Sequence, residues 1–402
     1  MLNLLNCSRL SIFRSVNLPE DVADREKIRK YEMLVRIAYE YPAKLLEPIF
    51  NFSINYKILR FISIFGKVKS KENFNNIQIS NDKIGNVNCR IYQKKERSEN
   101  AVLYIHGGGF VALRPEYFDI TCLELAEKSN SIVFSIDYSL SPEAPLNTAL
   151  DECFTVIETL YETSYKMHNF NRNKIIIFGE SAGGNLAAAL AVRLIKKNKK
   201  NYFCKQILVN PLLSYLNYSS PSHQIYRNYF NGSSFLSPRF KTLMLMYYAN
   251  IKLTENEICK IMDNCHVPKE VKSLKYLSID NLPDEWRNNI GNNNNNNMEI
   301  YDDNEDVDIK LVEKLKIIVT NPEISPILSD EKDLAQLPSS MIVTCGIDIL
   351  RDEGYLYKKR LEMAGVPTTW KHYNNTIHGI ISMWDFDMRK TVMDNIFDFI
   401  KN

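Results

Sequence analysis

The stretch Ile175-Ile-Ile-Phe-Gly-Glu-Ser-Ala-Gly-Gly-Asn185 constrains this chain more than any other. Four apolar, strand-favouring residues run into Gly179-Glu180-Ser181-Ala182-Gly183, and an Ala/Leu-rich helical stretch follows at once. A strand, a sharp glycine-flanked turn and a helix, with serine at the bend, make a G-x-S-x-G nucleophile elbow. Strand and helix pass so close there that side chains on the flanking residues would collide. With 14 glycines in 402 residues, such a match seldom arises by chance.

The surroundings agree with an elbow. From Ile77 the pattern has period two, and Asn86 to Tyr92 alternates. Continuous apolar runs then recur at Ala101–Ile105, Ile132–Ile136, Ile175–Phe178, Gln206–Val209 and Met341–Thr344, as buried strands should read. Helical stretches lie between them at Tyr117–Lys128, Ala149–Tyr161 and Leu186–Lys196. Strands alternating with helices predict an α/β fold, a mostly parallel doubly wound sheet. The rhythm stops after Val209 and resumes with Met341 and Thr369–Tyr373. The expected division is an N-terminal helical region (1–75) contributing to a cap, a first core segment (76–211), a largely helical cap insertion (212–324) and a second core segment (325–402). Within the insertion, 288–306 holds six consecutive asparagines beside an acidic run and reads as a disordered loop without chemistry.

Bulk properties remove several classes. A net charge of +2 gives no reason to expect nucleic acid. Eight scattered cysteines contain no C-x-x-C pair and no His/Cys ligand spacing, which argues against a structural metal such as zinc and against a disulfide scaffold. No run of about 20 apolar residues occurs, and the opening Met1–Phe13 is a poor signal peptide. Residues Glu26 to Gly66 read as helix, with apolar positions at Tyr31, Leu34, Val35, Ala38 and Tyr39 and again at Ile54, Ile58 and Ile62. That stripe is expected to pack as core or cap, in preference to forming a membrane-surface face.

A serine hydroxyl needs a base, a group that orients the base, and donors for a developing oxyanion. Of the six histidines, His106 belongs to a glycine loop, His168 precedes the serine, His223 and His266 fall in the insertion, and His372 lies inside an alternating strand. His378, in the loop after the last strand, remains as the base. The acid should end a strand between serine and histidine, and Asp348 does. Asp352 and Glu353 open the next helix, where carboxylates suit the dipole without a catalytic role. His106-Gly-Gly-Gly-Phe110, directly after a buried strand, supplies Gly107, Gly108 and Gly109 as an oxyanion loop, paired with the amide of Ala182.

H-G-G-G-F at His106, D-Y-S-L-S-P-E at Asp137, G-E-S-A-G-G at Gly179, D-I-L-R-D-E at Asp348 and the late H-G resemble the hormone-sensitive-lipase family of α/β hydrolases. The nearest subgroup resembles arylacetamide deacetylase and neutral cholesterol ester hydrolase, over roughly residues 18 to 400. The resemblance implies the α/β-hydrolase fold, a serine ester or amide hydrolase without cofactor, Ser181, Asp348 and His378 as triad, and the same oxyanion residues. Ser139 and Ser141 stand where the family has arginine and alanine, which puts a supporting interaction in doubt, and Glu180 replaces a commoner aspartate. Val111 replaces a cysteine that many animal members can pair with the counterpart of Cys345. Those members also carry an N-terminal membrane anchor before the counterpart of Leu18-Pro-Glu-Asp-Val22, and only 17 residues precede it here. As the chain stands the expectation is a soluble cytoplasmic protein; if its true start is missing, it is membrane association at the endoplasmic reticulum.

The expected partner is a small lipophilic ester. Phe110, Tyr215, Phe230 and Tyr247, with Tyr226, Phe235, Met244 and Met246, are candidates for an acyl or aryl pocket. The alternative is a non-catalytic small-molecule receptor on the same scaffold, as in the plant gibberellin receptors, which resemble the family but lack the histidine.

Overall fold

The computed structural model describes residues 18–50, 52–65, 74–95, 99–229, 236–288 and 307–402. The strands are β1 (Ile77–Ile84), β2 (Val87–Lys94), β3 (Asn100–Ile105), β4 (Ser131–Ile136), β5 (Ile175–Glu180), β6 (Lys205–Val209), β7 (Ser340–Ile347) and β8 (Thr368–Ile377). They form one eight-stranded sheet in the order β1-β2-β4-β3-β5-β6-β7-β8. β2 pairs antiparallel with β1 and with β4, and the remaining pairs are parallel. The near-continuous apolar runs occupy the middle: β4, β5 and β7 are buried along their whole length, as parallel strands covered on both faces must be. The edge strand β1 is mostly exposed and correspondingly polar.

The helices used below are α1 (Arg25–Val35), α2 (Tyr41–Phe50), α3 (Ser53–Phe65), α4 (Asp119–Lys128), α5 (Thr148–Thr159), α6 (Ala182–Lys196), α7 (Pro221–Tyr229), α8 (Pro238–Tyr248), α9 (Glu255–Met262), α10 (Ile309–Val319), α11 (Arg351–Met363) and α12 (Asp387–Lys401). α6 packs on β5 and β6, α4 on β4, and α11 on β7. Between β6 and β7, α7 to α10 interrupt the sheet rhythm. Asn185, on the first turn of α6, clasps both ends of this stretch: its amide nitrogen donates to the carbonyls of Leu212 (2.9 Å) and Ile324 (2.7 Å). One buried side chain therefore closes the long excursion onto the elbow helix, satisfying two carbonyls that would otherwise be buried unpaired.

The N-terminal helices correct one expectation. Tyr39 is buried, but Leu34 and Ala38, assigned to the same packed stripe, are exposed. Ile28, Glu32, Arg36 and Glu40 face inward instead. A five-residue π-helical segment, Arg36–Glu40, joins α1 to α2 and shifts the phase of the helix, so a strict 3.6-residue period does not follow one side. Glu32 and Arg36 also neutralise one another inside, which removes the usual reason for charged residues to take the outer face. The asparagine-rich stretch from 289, together with Phe230 and Phe235, lies outside the described residues. The seven described cysteines are all free thiols.

Candidate active site

The elbow is held from both sides. Ser181 has φ 56° and ψ −118°, a backbone state sparsely used by non-glycine residues and found where surrounding structure enforces it. Its N–H donates to the Val209 carbonyl (2.9 Å) on the neighbouring strand, and its carbonyl accepts from Leu212 (3.1 Å). Gly183 permits the close approach: a Cβ there would lie 2.0 Å from the Ile105 carbonyl oxygen and 2.5 Å from that of His106. The motif's glycine thus answers to the adjacent strand β3 as well as to the turn.

Three residues far apart in the chain meet at this bend. His378, in the loop after β8, places Nε2 2.9 Å from Ser181 Oγ. Its Nδ1 lies 2.8 Å from Asp348 Oδ2, at the end of β7. Asp348 is buried, and its oxygens accept from Asn210 Nδ2 (2.9 Å) and the Leu350 N–H (2.9 Å). Those two donors fix the carboxylate and leave it one productive direction, towards the imidazole. Burial pulls the His378 pKa down, but the charge and hydrogen bond of Asp348 outweigh it, so the imidazole sits above its ordinary 6.5. Such a group takes a proton more readily than an ordinary imidazole.

The glycine loop crosses the elbow directly after β3. Gly107 lies so near the serine that a Cβ on it would be 3.3 Å from Ser181 Cβ. Gly108 has φ 118°, where a side chain would meet the Ala112 carbonyl at 2.1 Å; its own carbonyl accepts from Val111 and Ala112, closing a tight turn. Gly109 is covered by Met244 of α8. Ala182 is the first residue of α6, so its N–H lies outside the helix's own hydrogen-bond ladder, at the positive end of the dipole. Gly107, close against the Ser181 side chain, and Ala182, next to it in the chain, thus flank the serine.

The other histidines have structural surroundings. His106 stacks on Tyr138 (4.2 Å between centroids) and its Nδ1 meets the Gly107 carbonyl at 2.7 Å; burial lowers its pKa to about 4 and keeps it neutral. His372 pairs with Thr344 and stacks on Trp370, and His266 meets the Tyr215 carbonyl. Of the proposed pocket residues, Phe110 stacks on Tyr248 at 3.9 Å and Tyr215 is fully buried. Tyr247 donates to the Phe52 carbonyl and packs edge-on against Tyr56. Phe110 is on the glycine loop, whereas Tyr215 and Tyr247 belong to the packing that joins α8 to its neighbours.

The departures from the family pattern find local partners. Ser139 donates from both its N–H and its hydroxyl to the Glu152 carboxylate, each at 2.6 Å. Glu180 is buried beneath the site, where burial raises its pKa and Ser382 donates to it at 2.8 Å. Sequence reasoning missed Asn210 and Asn185. Asn210 follows an apolar strand, adopts φ 44° and precedes a proline, a usable sign of a special strand end. It also missed Lys241, a buried cation of α8 paired with Glu353 at 3.0 Å, because its partner lies 112 residues away. Asp352 and Glu353 do open α11, as expected, yet they also receive the Ser222 and Leu213 N–H groups from the 212–324 region.

A mostly parallel sheet whose fifth strand breaks at a serine between glycines, feeding at once into a helix, is the α/β-hydrolase architecture. The chain belongs to the alpha/beta hydrolase fold family, whose sequence profile matches residues 102–274 and 291–382. It is 25% identical over 385 residues to arylacetamide deacetylase-like 3 of Mus musculus, covering 91% of this chain and 90% of that protein. It is 28% identical over 385 residues to neutral cholesterol ester hydrolase 1 of Bos taurus, covering 92% and 90%. Among solved structures it is similar to a hyperthermophilic esterase of the archaeon Pyrobaculum calidifontis, with TM-score 0.64, 21% identity and 92% and 97% coverage. An esterase of Rhizomucor miehei gives TM-score 0.63, 19% identity and 86% and 90% coverage.

Proposed function

We propose that this chain is a serine carboxylic-ester hydrolase acting on lipophilic acyl or aryl esters, with aryl acetamides as further candidate substrates, through an acyl-enzyme on Ser181. The observation that carries the reading is the unbroken hydrogen-bonded line from Ser181 Oγ through His378 to Asp348. In this reading Ser181 attacks the carbonyl carbon while His378 Nε2 takes the hydroxyl proton. Asp348 holds Nδ1–H and stabilises the imidazolium. The oxyanion is received by amides of the Gly107–Gly109 loop and Ala182, and His378 returns the proton to the leaving group. Water, deprotonated by the same histidine, then releases the acid.

Two features support a lipophilic substrate. Met244 and the stacked Phe110–Tyr248 pair give the glycine loop an apolar wall. The relatives' names pair an aryl acetamide with a cholesterol ester, both poor in charge. A receptor without turnover is disfavoured because a serine hydrogen-bonded to a histidine that a buried acid orients has no role in mere binding.

Ser181→Ala should lower kcat for a nitrophenyl ester by at least about 10⁴-fold. Labelling of the native chain by a fluorophosphonate should vanish in His378→Ala. A series of acyl lengths beside an aryl acetamide identifies the preferred substrate. Full hydrolysis by Ser181→Ala would exclude the acyl-enzyme, and tight ligand binding with no ester turned over would favour the receptor.

A further inference from the structure

The helix formed by α1, its π-helical segment and α2 has its chemistry reversed. Beyond Glu26, which is exposed in the first turn of α1, its acids are turned inward: Glu32 and Glu40 are buried around Arg36, and Glu47 is only partly exposed, reached by Asn55 Nδ2 at 3.1 Å and Arg239 at 3.6 Å. Its large apolar side chains are turned outward: Leu34 is 63% exposed, Ile37 56%, Leu45 75% and Ile49 71%, with Met33 and Phe50 beside them. Leu34, Ile37, Leu45 and Ile49 follow one another at turn-like intervals along one stripe, about 22 Å long at 1.5 Å per residue. Single exposed apolar residues need no explanation, but an aligned row of them marks an interaction surface.

From Lys30 to Phe61, the charged residues classed as exposed among those described are Lys30, Lys44 and Lys57; no acid is among them. An apolar row flanked over this span by exposed cations and no exposed acid is complementary to an anionic lipid surface, where the side chains enter the acyl boundary and the ammonium groups remain with the phosphates. The same charge pattern disfavours a second copy, since a two-fold contact would set lysines against lysines. We infer that the outer face of α1–α2 docks this protein on an anionic lipid surface. The position suits delivery of a lipophilic compound. α3, packed beside α2, sends Arg60 to the Val111 carbonyl (2.6 Å) of the glycine loop and to the Ser141 carbonyl (2.7 Å), so the docked helices stand next to the site.

The experiment is co-sedimentation of the full chain with phosphatidylcholine vesicles, with and without phosphatidylglycerol, at low and high salt. The expected result is binding that strengthens with phosphatidylglycerol and weakens with salt. The double variant Leu45→Glu/Ile49→Glu should reduce it about a hundredfold or more, since two apolar side chains lose their burial, while hydrolysis of a short soluble nitrophenyl ester is unchanged. Ser181→Ala should bind vesicles like the native chain, which separates this inference from the hydrolase reading. Three results would overturn it: no sedimentation with either vesicle, binding by the double variant equal to that of the native chain, or light scattering showing a native dimer that the double variant converts to monomer.

Discussion

Lys241 offers the sharpest test of how the 212–324 region is joined to the catalytic half. Its ammonium sits 3.0 Å from Glu353 Oε2 and 3.3 Å from His223 Nε2, with only 1% and 2% of the Lys241 and Glu353 side chains exposed. Burial holds His223 well below its ordinary pKa, so the imidazole is neutral and can accept from the ammonium. Burial lowers the Lys241 pKa and raises that of Glu353, each opposed by the partner's charge. Lys241→Met keeps much of the side-chain volume and removes the cation. Removing one member of a buried pair typically costs about 3–5 kcal/mol, because the other charge is left without its counterion. The lower half of that range is expected here, since the Leu213 N–H (2.7 Å) and Ser214 hydroxyl (3.3 Å) still serve Glu353. Adding Glu353→Gln should restore all but about 1–2 kcal/mol, as a neutral amide tolerates the site better than an unpaired carboxylate.

The pH dependence has a definite sign. Burial already raises the folded pKa of Glu353 above its ordinary 4.5, and losing the Lys241 charge, which opposes that rise, raises it further. The folded state then binds a proton that the unfolded state lacks, so stability is gained as pH falls towards 4.5 and lost as it rises through the folded value. The deficit of Lys241→Met relative to the native chain must therefore be larger at pH 8 than at pH 5. Urea unfolding followed by tryptophan fluorescence measures both. A loss under about 1 kcal/mol at both pH values, or a double variant weaker than the single, would refute the assignment of a charged, mutually dependent pair.

Two further outcomes follow from the site. Because His378 must be neutral to accept the serine proton and its pKa lies above 6.5, the acid limb of kcat/KM should fall above 6.5, and activity should be lost as pH decreases through it. Glu180→Gln, which removes a buried carboxylate that supports the imidazolium, should move that limb downward. Gly183→Ala should yield little soluble protein, since its Cβ would fall 2.0 Å from the Ile105 carbonyl oxygen on a strand that cannot retreat. Ordinary expression of a fully active Gly183→Ala would show that strand and helix are looser than described.

The alternation of apolar runs with helical stretches was enough to read the sheet, because β4, β5 and β7 are buried on both faces and are therefore mostly apolar. Ser181, Asp348 and His378 were legible because each sits at the end of an element whose pattern is local: a strand–glycine turn, a strand terminus, a loop before the last helix. By itself, then, the sequence determined the α/β class, the elbow and the order of the three residues now joined by two hydrogen bonds. Tertiary structure alone decided what each of them leans on. Asn210 on Asp348, Asn185 across Leu212 and Ile324, and Lys241 on Glu353 are contacts between residues 27 to 139 positions apart. A one-dimensional period carries no information about such pairs. The helix α1–α2 shows the same limit from the other side: periodicity grouped Tyr31, Leu34, Val35, Ala38 and Tyr39 as one packed stripe, yet of these only Tyr39 is buried, because the side facing the protein depended on a π-helical segment and on whether Glu32 and Arg36 could neutralise each other inside.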